Sequence, residues 1–371
     1  FAGKGQWIEL THGKNGLTAE AGFASQAEVL IHARLAATVV GATTMDRPEW
    51  VAAHPQRAEV YVTLTNNTDR GVKANQPLNG PNPRNPFCVD IRALSAVQTA
   101  ARIRADGIDI LIDLAGHTAM NRLPVFARKP APVQVTAWGY ATGTGLETMD
   151  YFFSDAIILP KSERGLFAEE VVDLPCTICY QPPDYLPEVA PLPVLKGNPL
   201  SFGVFNRIEK ISGRSLALWS RLLAEVPNAR LVIKEAKLQE ASTRERLLER
   251  AARHGISAER VTMLGRTGHR EHLQSYGEVD FCLDLVAHGG GISTAEALWM
   301  GVPVVTLAGV TISSRLTASM LGVSGLQDWV AADEDDYVRI ALEAAADPAR
   351  LARLRMSLRQ TMAASPVGNI P

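Results

Sequence analysis

The stretch that decides the fold is Asp284-Leu-Val-Ala-His-Gly-Gly-Gly-Ile-Ser-Thr-Ala-Glu-Ala-Leu-Trp-Met-Gly-Val-Pro-Val-Val-Thr306. The apolar run from Val279 to Leu285 leads into it and reads as a buried strand. Gly289, Gly290 and Gly291 then turn the chain, Ser293 and Thr294 follow, and Ala295 to Met300 has helical character. The next strand begins at Pro303. A glycine turn feeding a helix N-terminus presents backbone N–H groups and the positive end of the helix dipole, which suits a phosphate. Ser293 and Thr294 add hydroxyls there, and Glu296 is placed in the first helical turn, within reach of the loop. Glycines at this position can also serve only to turn a strand into a helix.

Outward from this unit, strands alternate with helices along most of the chain. Towards the amino end the pattern gives a strand at Val261 to Leu264, a helix from Ala241 to His254 and a strand from Arg230 to Lys234. An amphipathic helix at Ser212 to Glu225 and a strand at Ser201 to Phe205 precede these. Such alternation predicts a doubly wound parallel α/β sheet, with ligands beyond the carboxyl ends of the strands. Six prolines between Gln181 and Pro199 mark a stiff connection. Before it a second α/β pattern appears, with a helix at Ser95 to Ala105, a buried strand at Ile108 to Leu114 and a short strand at Val133 to Trp138. Glu59 to Leu64 reads as a strand, Leu17 to Ala24 as a first strand and Ala27 to Gly41 as a helix. The asparagine- and proline-rich segment 66–86 reads as an exposed loop. The expected organisation is a Rossmann-like domain over residues 1–180, a linker over 181–199 and a second Rossmann-like domain over 200–371.

The totals narrow the function classes. With 371 residues two domains are the default. A net charge of −2 with no long basic run argues against broad capture of nucleic acid. No apolar stretch is long enough to span a membrane. Four cysteines point to a reducing compartment, and the cytoplasm is the expected location. Cys88 and Cys282 are expected in the core. Cys176 and Cys179 form a C-x-x-C with no second pair or histidine cluster to complete a zinc site. The run Asp333-Glu-Asp-Asp336 contains a D-x-D pattern, but it precedes a helix and reads as its cap. No metal is expected.

Several segments carry a resemblance: Asp109-Ile-Leu-Ile-Asp-Leu-Ala-Gly-His-Thr118, Arg128-Lys-Pro-Ala-Pro-Val-Gln-Val135, Met149-Asp-Tyr151, Phe205-Asn-Arg-Ile-Glu-Lys210 and Gly290 to Val305. In this order and spacing the chain from Val89 to Pro366 resembles the catalytic region of O-linked N-acetylglucosamine transferases and their SPINDLY-like relatives, glycosyltransferase family 41. The resemblance implies a GT-B architecture, two Rossmann-like domains facing a cleft that holds a nucleotide-sugar. It implies an inverting transferase moving N-acetylglucosamine from UDP to serine or threonine hydroxyls of acceptor proteins. A GDP-fucose donor, or a degenerate scaffold that binds nucleotide without turnover, are the alternatives.

The resemblance also assigns residues. Lys210 would neutralise the diphosphate leaving group, with Asn206 in the same turn. Main-chain groups at Arg266 and Thr267 would read the base edge, His272 would stack on it, and His269 stands where animal members have lysine. Gly290, Gly291, Ile292, Ser293 and Thr294 would cradle the diphosphate, and Glu296 would hold the ribose. His117, Thr118, Gly139 and Tyr140 fall at strand ends on the sugar and acceptor side. His32 matches the family's sugar-facing histidine and is one candidate base, a phosphate oxygen of the donor being the other. The tetratricopeptide repeats common in these proteins would lie outside this chain.

Overall fold

The computed structural model describes residues 8–40, 48–53, 60–64, 91–139 and 141–369. The expectations for Tyr140, Cys88 and the loop 66–86 lie outside the described residues. The chain divides into two compact units, Phe1–Ser95 and Ala96–Pro371.

In the first unit, the expected strand at Leu17 to Ala24 is instead a single 3-10 turn, Ala19–Ala21. Its Ala-Glu-Ala composition favours helical backbone, and Gly22 closes it at φ 90°. The expected long helix is two short ones, α1 (Gln26–Ile31) and α2 (Ala33–Val39), because the backbone at His32 leaves the helical region (φ −105°, ψ 34°). Ser25 caps α1 by accepting the Glu28 N–H. The strands β1 (Pro48–Ala53) and β2 (Val60–Leu64) pair antiparallel in a two-stranded sheet of their own, so the expected strand at Glu59 to Leu64 joins no parallel sheet.

The second unit holds two parallel sheets. After α3 (Ala96–Ala105) come β3 (Ile110–Asp113), α4 (Leu123–Phe126), β4 (Val133–Thr136), β5 (Tyr151–Ser154) and β6 (Glu170–Asp173), paired in the order β3-β4-β5-β6. The expected buried strand at Ile108 to Leu114 is therefore an edge strand among the described residues, and Ile110, Ile112 and Leu114 are exposed. Its apolar run resembles an interior strand, yet position in the sheet decides burial.

The proline-rich segment leads to β7 (Ser201–Val204), α5 (Gly213–Glu225), β8 (Arg230–Lys234), α6 (Ala241–Arg253), β9 (Val261–Leu264), α7 (His269–Ser275) and β10 (Phe281–Leu283). Then follow α8 (Ile292–Trp299), β11 (Val304–Leu307), α9 (Ile312–Val323), β12 (Val330–Ala331), α10 (Glu334–Ala346) and α11 (Pro348–Ala364). The sheet order is β12-β11-β10-β7-β8-β9. Order reverses at the β7–β10 pair, the switch point where ligands of such sheets bind. The main core, with Phe202, Trp219, Phe281, Leu298 and Trp329, lies around this sheet. Cys282 is buried in it as expected. Asp333 caps α10 by accepting the Asp336 N–H, while Glu334 and Asp335 pair with Arg214 and Arg221.

The two sheets are tied across the sequence. The nearly buried Arg315 on α9 donates to both carboxylate oxygens of Glu163, at 2.8 and 2.6 Å. On the same helix Ser319 donates to Asp155, which follows β5, at 2.8 Å. Asp155 also accepts the N–H and hydroxyl of Thr177, so one buried carboxylate gathers three segments.

Candidate active site

The decisive stretch folds around Asp284. Its carboxylate is 2% exposed and accepts the Gly290 N–H at 2.8 Å and the Thr306 hydroxyl at 2.8 Å. The Gly289 N–H donates to the Ser313 carbonyl at 2.9 Å. These two glycine amides are thus engaged inside the loop, a correction to the expectation that Gly290 would cradle an anion with its N–H. What Gly290 contributes is the absence of a side chain. A Cβ there would overlap Thr294 Oγ1 and stand 3.0 Å from Ser293 Oγ.

The helix begins at Ile292, three residues before the expected start at Ala295, so Glu296 falls in its second turn rather than its first. Among the described residues the N–H groups of Gly291, Ile292 and Ser293 have no acceptor. They stand at the positive end of α8 and make the anion site that remains. Thr294 is corrected too: it is buried, and its hydroxyl pairs with Thr317 at 3.0 Å instead of facing the loop opening. Ser293 reaches out and donates to Asn206 Oδ1 at 3.3 Å, joining the loop to the turn after β7. Ile292 extends its side chain into solvent.

Lys210 ends a short 3-10 turn, Ile208–Lys210, and is half-buried. No hydrogen bond or ion pair engages its ammonium among the described residues. Burial, then the neighbouring Arg207 charge, push its pKa down, against the pull of Asp284. His288, absent from the expected set, shares this environment. Burial, Lys210 and Arg207 depress its pKa in that order. Its signal in the sequence was a histidine directly before the glycines at a strand end. Just before it, Ala287 holds φ 82°, a strained backbone of the kind stored at functional turns. A half-buried cation without a counter-ion is costly, and a bound anion would relieve that cost.

Beside this cluster a pocket of about 380 Å³ brings together Asn206, Arg266, Thr267, His269, His272 and Glu296 from the expected set. The buried Glu296 carboxylate accepts His269 Nε2 at 2.8 Å and faces His272 Nε2 at 3.3 Å. Burial alone would raise its pKa, but the hydrogen bonds from His272 and His269 outweigh that and hold it below the usual range. Tyr185 continues the chain of contacts, its hydroxyl lying 2.9 Å from His269 Nδ1. The carboxylate expected to stand free for a ribose thus organises the two histidines. His272 is wedged edge-on against Phe205 and Tyr276. The Arg266 carbonyl already accepts the Gln239 amide at 3.1 Å.

At the carboxyl ends of the other sheet, Asp113 repeats the arrangement of Asp284. It accepts the Gly116 N–H at 2.9 Å and the Thr136 hydroxyl at 3.0 Å. His117 and Thr118 follow β3 and are exposed, with His117 Nε2 3.2 Å from the Thr144 carbonyl and the Thr118 hydroxyl donating to Ala115. Gly139 lies so close to the Leu114 backbone that a Cβ would overlap it. His32 belongs to the Phe1–Ser95 unit and closes α1 there.

Comparison with known proteins assigns the second unit. The sequence model of glycosyl transferase family 41 matches residues 84–180 and 194–370. The chain belongs to glycosyltransferase family 41. The family 41 chain is 41% identical over 284 residues to a probable UDP-N-acetylglucosamine–peptide N-acetylglucosaminyltransferase SPINDLY of Arabidopsis thaliana, covering 76% of this chain and 31% of that protein. A solved Thermobaculum terrenum O-GlcNAc transferase, a lysine-to-methionine mutant, is 38% identical with a TM-score of 0.70 over 76% of this chain and 54% of that one. A Rickettsia africae glycosyltransferase shares the fold at 12% identity and a TM-score of 0.52, over 79% of this chain and 80% of that one. The architecture is α/β of the GT-B type. The family 41 chain spans about a third of the length of the curated relatives it matches.

Residues 1–87 match a different sequence model, alkaline phosphatase PhoX. The family 41 region therefore begins inside the segment expected to form the N-terminal Rossmann-like domain. His32 lies outside it, and the family match gives no support for carrying a family residue onto that position.

Proposed function

We propose that this chain carries the donor-binding half of an inverting transferase that moves N-acetylglucosamine from UDP-N-acetylglucosamine to serine or threonine hydroxyls of proteins. The observation that carries this reading is the uncompensated Lys210 beside the free N–H groups of Gly291, Ile292 and Ser293. In transfer, the acceptor oxygen attacks the anomeric carbon as the bond to the phosphate oxygen breaks, and the hydroxyl proton passes to a phosphate oxygen of the donor. The electron pair of that bond goes to the diphosphate, where preorganised donors act most strongly. Lys210 and the three N–H groups supply such donors. His269, His272 and Glu296 shape the pocket beside them for the nucleoside.

Transfer on this reading needs no metal. The acidic run Asp333 to Asp336 is engaged in capping α10 and in ion pairs with Arg214, Arg221 and Arg339. His117, Thr118 and Gly139 belong to the sugar and acceptor side, and tetratricopeptide repeats on another segment would present the protein acceptor. The free thiols of Cys176, Cys179 and Cys282 fit a cytoplasmic location.

Titration calorimetry with UDP and GDP, followed by a donor-hydrolysis assay in excess EDTA, tests the reading. UDP binding with metal-independent turnover is the expected result. Preference for GDP would move the donor to GDP-fucose, and binding without turnover would leave a nucleotide-binding scaffold. Activity abolished by chelation and restored by manganese would overturn the metal-free mechanism.

A further inference from the structure

Lys234 is the last residue of β8 and lines the same pocket. It is 4% exposed, an unusual burial for lysine. Its Nζ donates to the Gly265 carbonyl at 3.1 Å, and among the described residues this is its one hydrogen bond, with no ion pair. An ammonium carries three N–H donors and no acceptor, so donors remain for a ligand. Burial depresses its pKa, with Glu278 opposing, in keeping with a desolvated cation.

The placement of this donor limits what it meets. The diphosphate belongs at Lys210 and the α8 amides, at the switch point of the sheet. Lys234 stands instead two strands away from β10, which feeds that loop, and directly beside Gly265, Arg266 and Thr267. The same pocket also holds the ring of His272, a surface suited to a planar base. A buried cationic donor there favours a base edge bearing a carbonyl oxygen and disfavours one bearing an amino group.

We infer that Lys234 is a specificity-determining residue, which uses its free N–H donors to select nucleotides whose base carries a carbonyl oxygen at the pyrimidine 4-position or purine 6-position, uracil or guanine, over cytosine or adenine, which carry an amino group there. This inference rests on the nucleotide-sugar reading of the pocket. It adds which atom of the base is read and by which side chain.

The test compares dissociation constants of the wild-type chain for UDP, CDP and 4-thio-UDP, in which sulfur replaces the carbonyl oxygen. Wild type should bind UDP about tenfold more tightly than either analogue, as expected for one hydrogen bond to a charged donor. Lys234→Met keeps the buried stem and should lose that advantage for UDP while leaving CDP unchanged. Equal weakening of all three would show that Lys234 only clamps Gly265, and equal affinities in wild type would overturn the inference without any variant. The same comparison with GDP and 6-thio-GDP applies if guanine is preferred. Absence of binding by every nucleotide would instead overturn the reading of the pocket itself, and the inference with it.

Discussion

Lys210 illustrates how one residue can be cheap for the fold and decisive for the chemistry. Its ammonium is half-buried, faces Asp284 and His288 and has no ion-pair partner among the described residues. Lys210→Met keeps the stem and removes the charge. Turnover should fall by on the order of a hundredfold, as for loss of one transition-state donor, with a much smaller change in nucleotide affinity. Near-normal turnover in steady-state assays would make it an ordinary surface lysine. Glu296 behaves oppositely, since its folded carboxyl pKa lies below the unfolded value. A depressed carboxyl contributes stability that is complete above the unfolded value, about 4.3, and is lost as pH falls through the folded one. Glu296→Gln should therefore narrow its deficit in melting temperature against wild type as pH falls below about 4.3. A deficit independent of pH would show that the carboxylate gains nothing from His269 and His272.

At the scale of the element, the strand–loop–helix unit from β10 to α8 depends on which glycine lacks a side chain. Gly290→Ala drives a Cβ into Thr294 and towards Ser293, whereas Gly291→Ala meets nothing within 4 Å. The first substitution should cost about 1–3 kcal/mol in denaturant unfolding, as overpacking does, and weaken nucleotide binding as well. The second should stay within about 0.5 kcal/mol, as surface changes do. Similar losses for both would mean that the turn needs glycine flexibility rather than space. The strands of this half were legible because Arg230–Lys234 and Val261–Leu264 are short apolar runs bounded by turn residues. The start of α8 was not, because Ile292, Ser293 and Thr294 are modest helix formers held by contacts distant in sequence, such as Thr294 with Thr317. The same limit hid the engagement of Gly290 by Asp284. Lys234 went unnoticed because a lysine at a strand end ordinarily points to solvent. Leu17 to Ala24 misled by its mixed pattern, which local Ala-Glu-Ala preference resolved into a turn.

Across the whole molecule, the two sheets of Ala96–Pro371 differ in how they end. The second carries the main core, whereas among the described residues the first presents β3 at its edge with Ile110, Ile112 and Leu114 exposed. An apolar edge strand is a template for pairing with another chain. Sedimentation velocity should show concentration-dependent association of wild type, and Ile112→Lys should reduce it without lowering the melting temperature. Association unchanged by the lysine would place the contact elsewhere. The alternation of strands and helices was readable from β7 to β11, since it is a local property, whereas β5 and β6 went unread and the first sheet runs in the sequential order β3-β4-β5-β6. The fate of β3 was not readable, because an edge and an interior strand differ in their neighbours and not in their own residues.

The unequal engagement of the loop amides has a consequence in time. Gly289 and Gly290 donate within the fold, whereas Gly291, Ile292 and Ser293 do not. Amide protons held in this way exchange with deuterium only when the loop opens, while unheld ones exchange at once. Five consecutive residues should therefore divide into a slow pair and a fast trio in the free protein. An anion seated on α8 should slow the trio alone, so the clock of exchange reports occupancy of the site before any bond is made or broken.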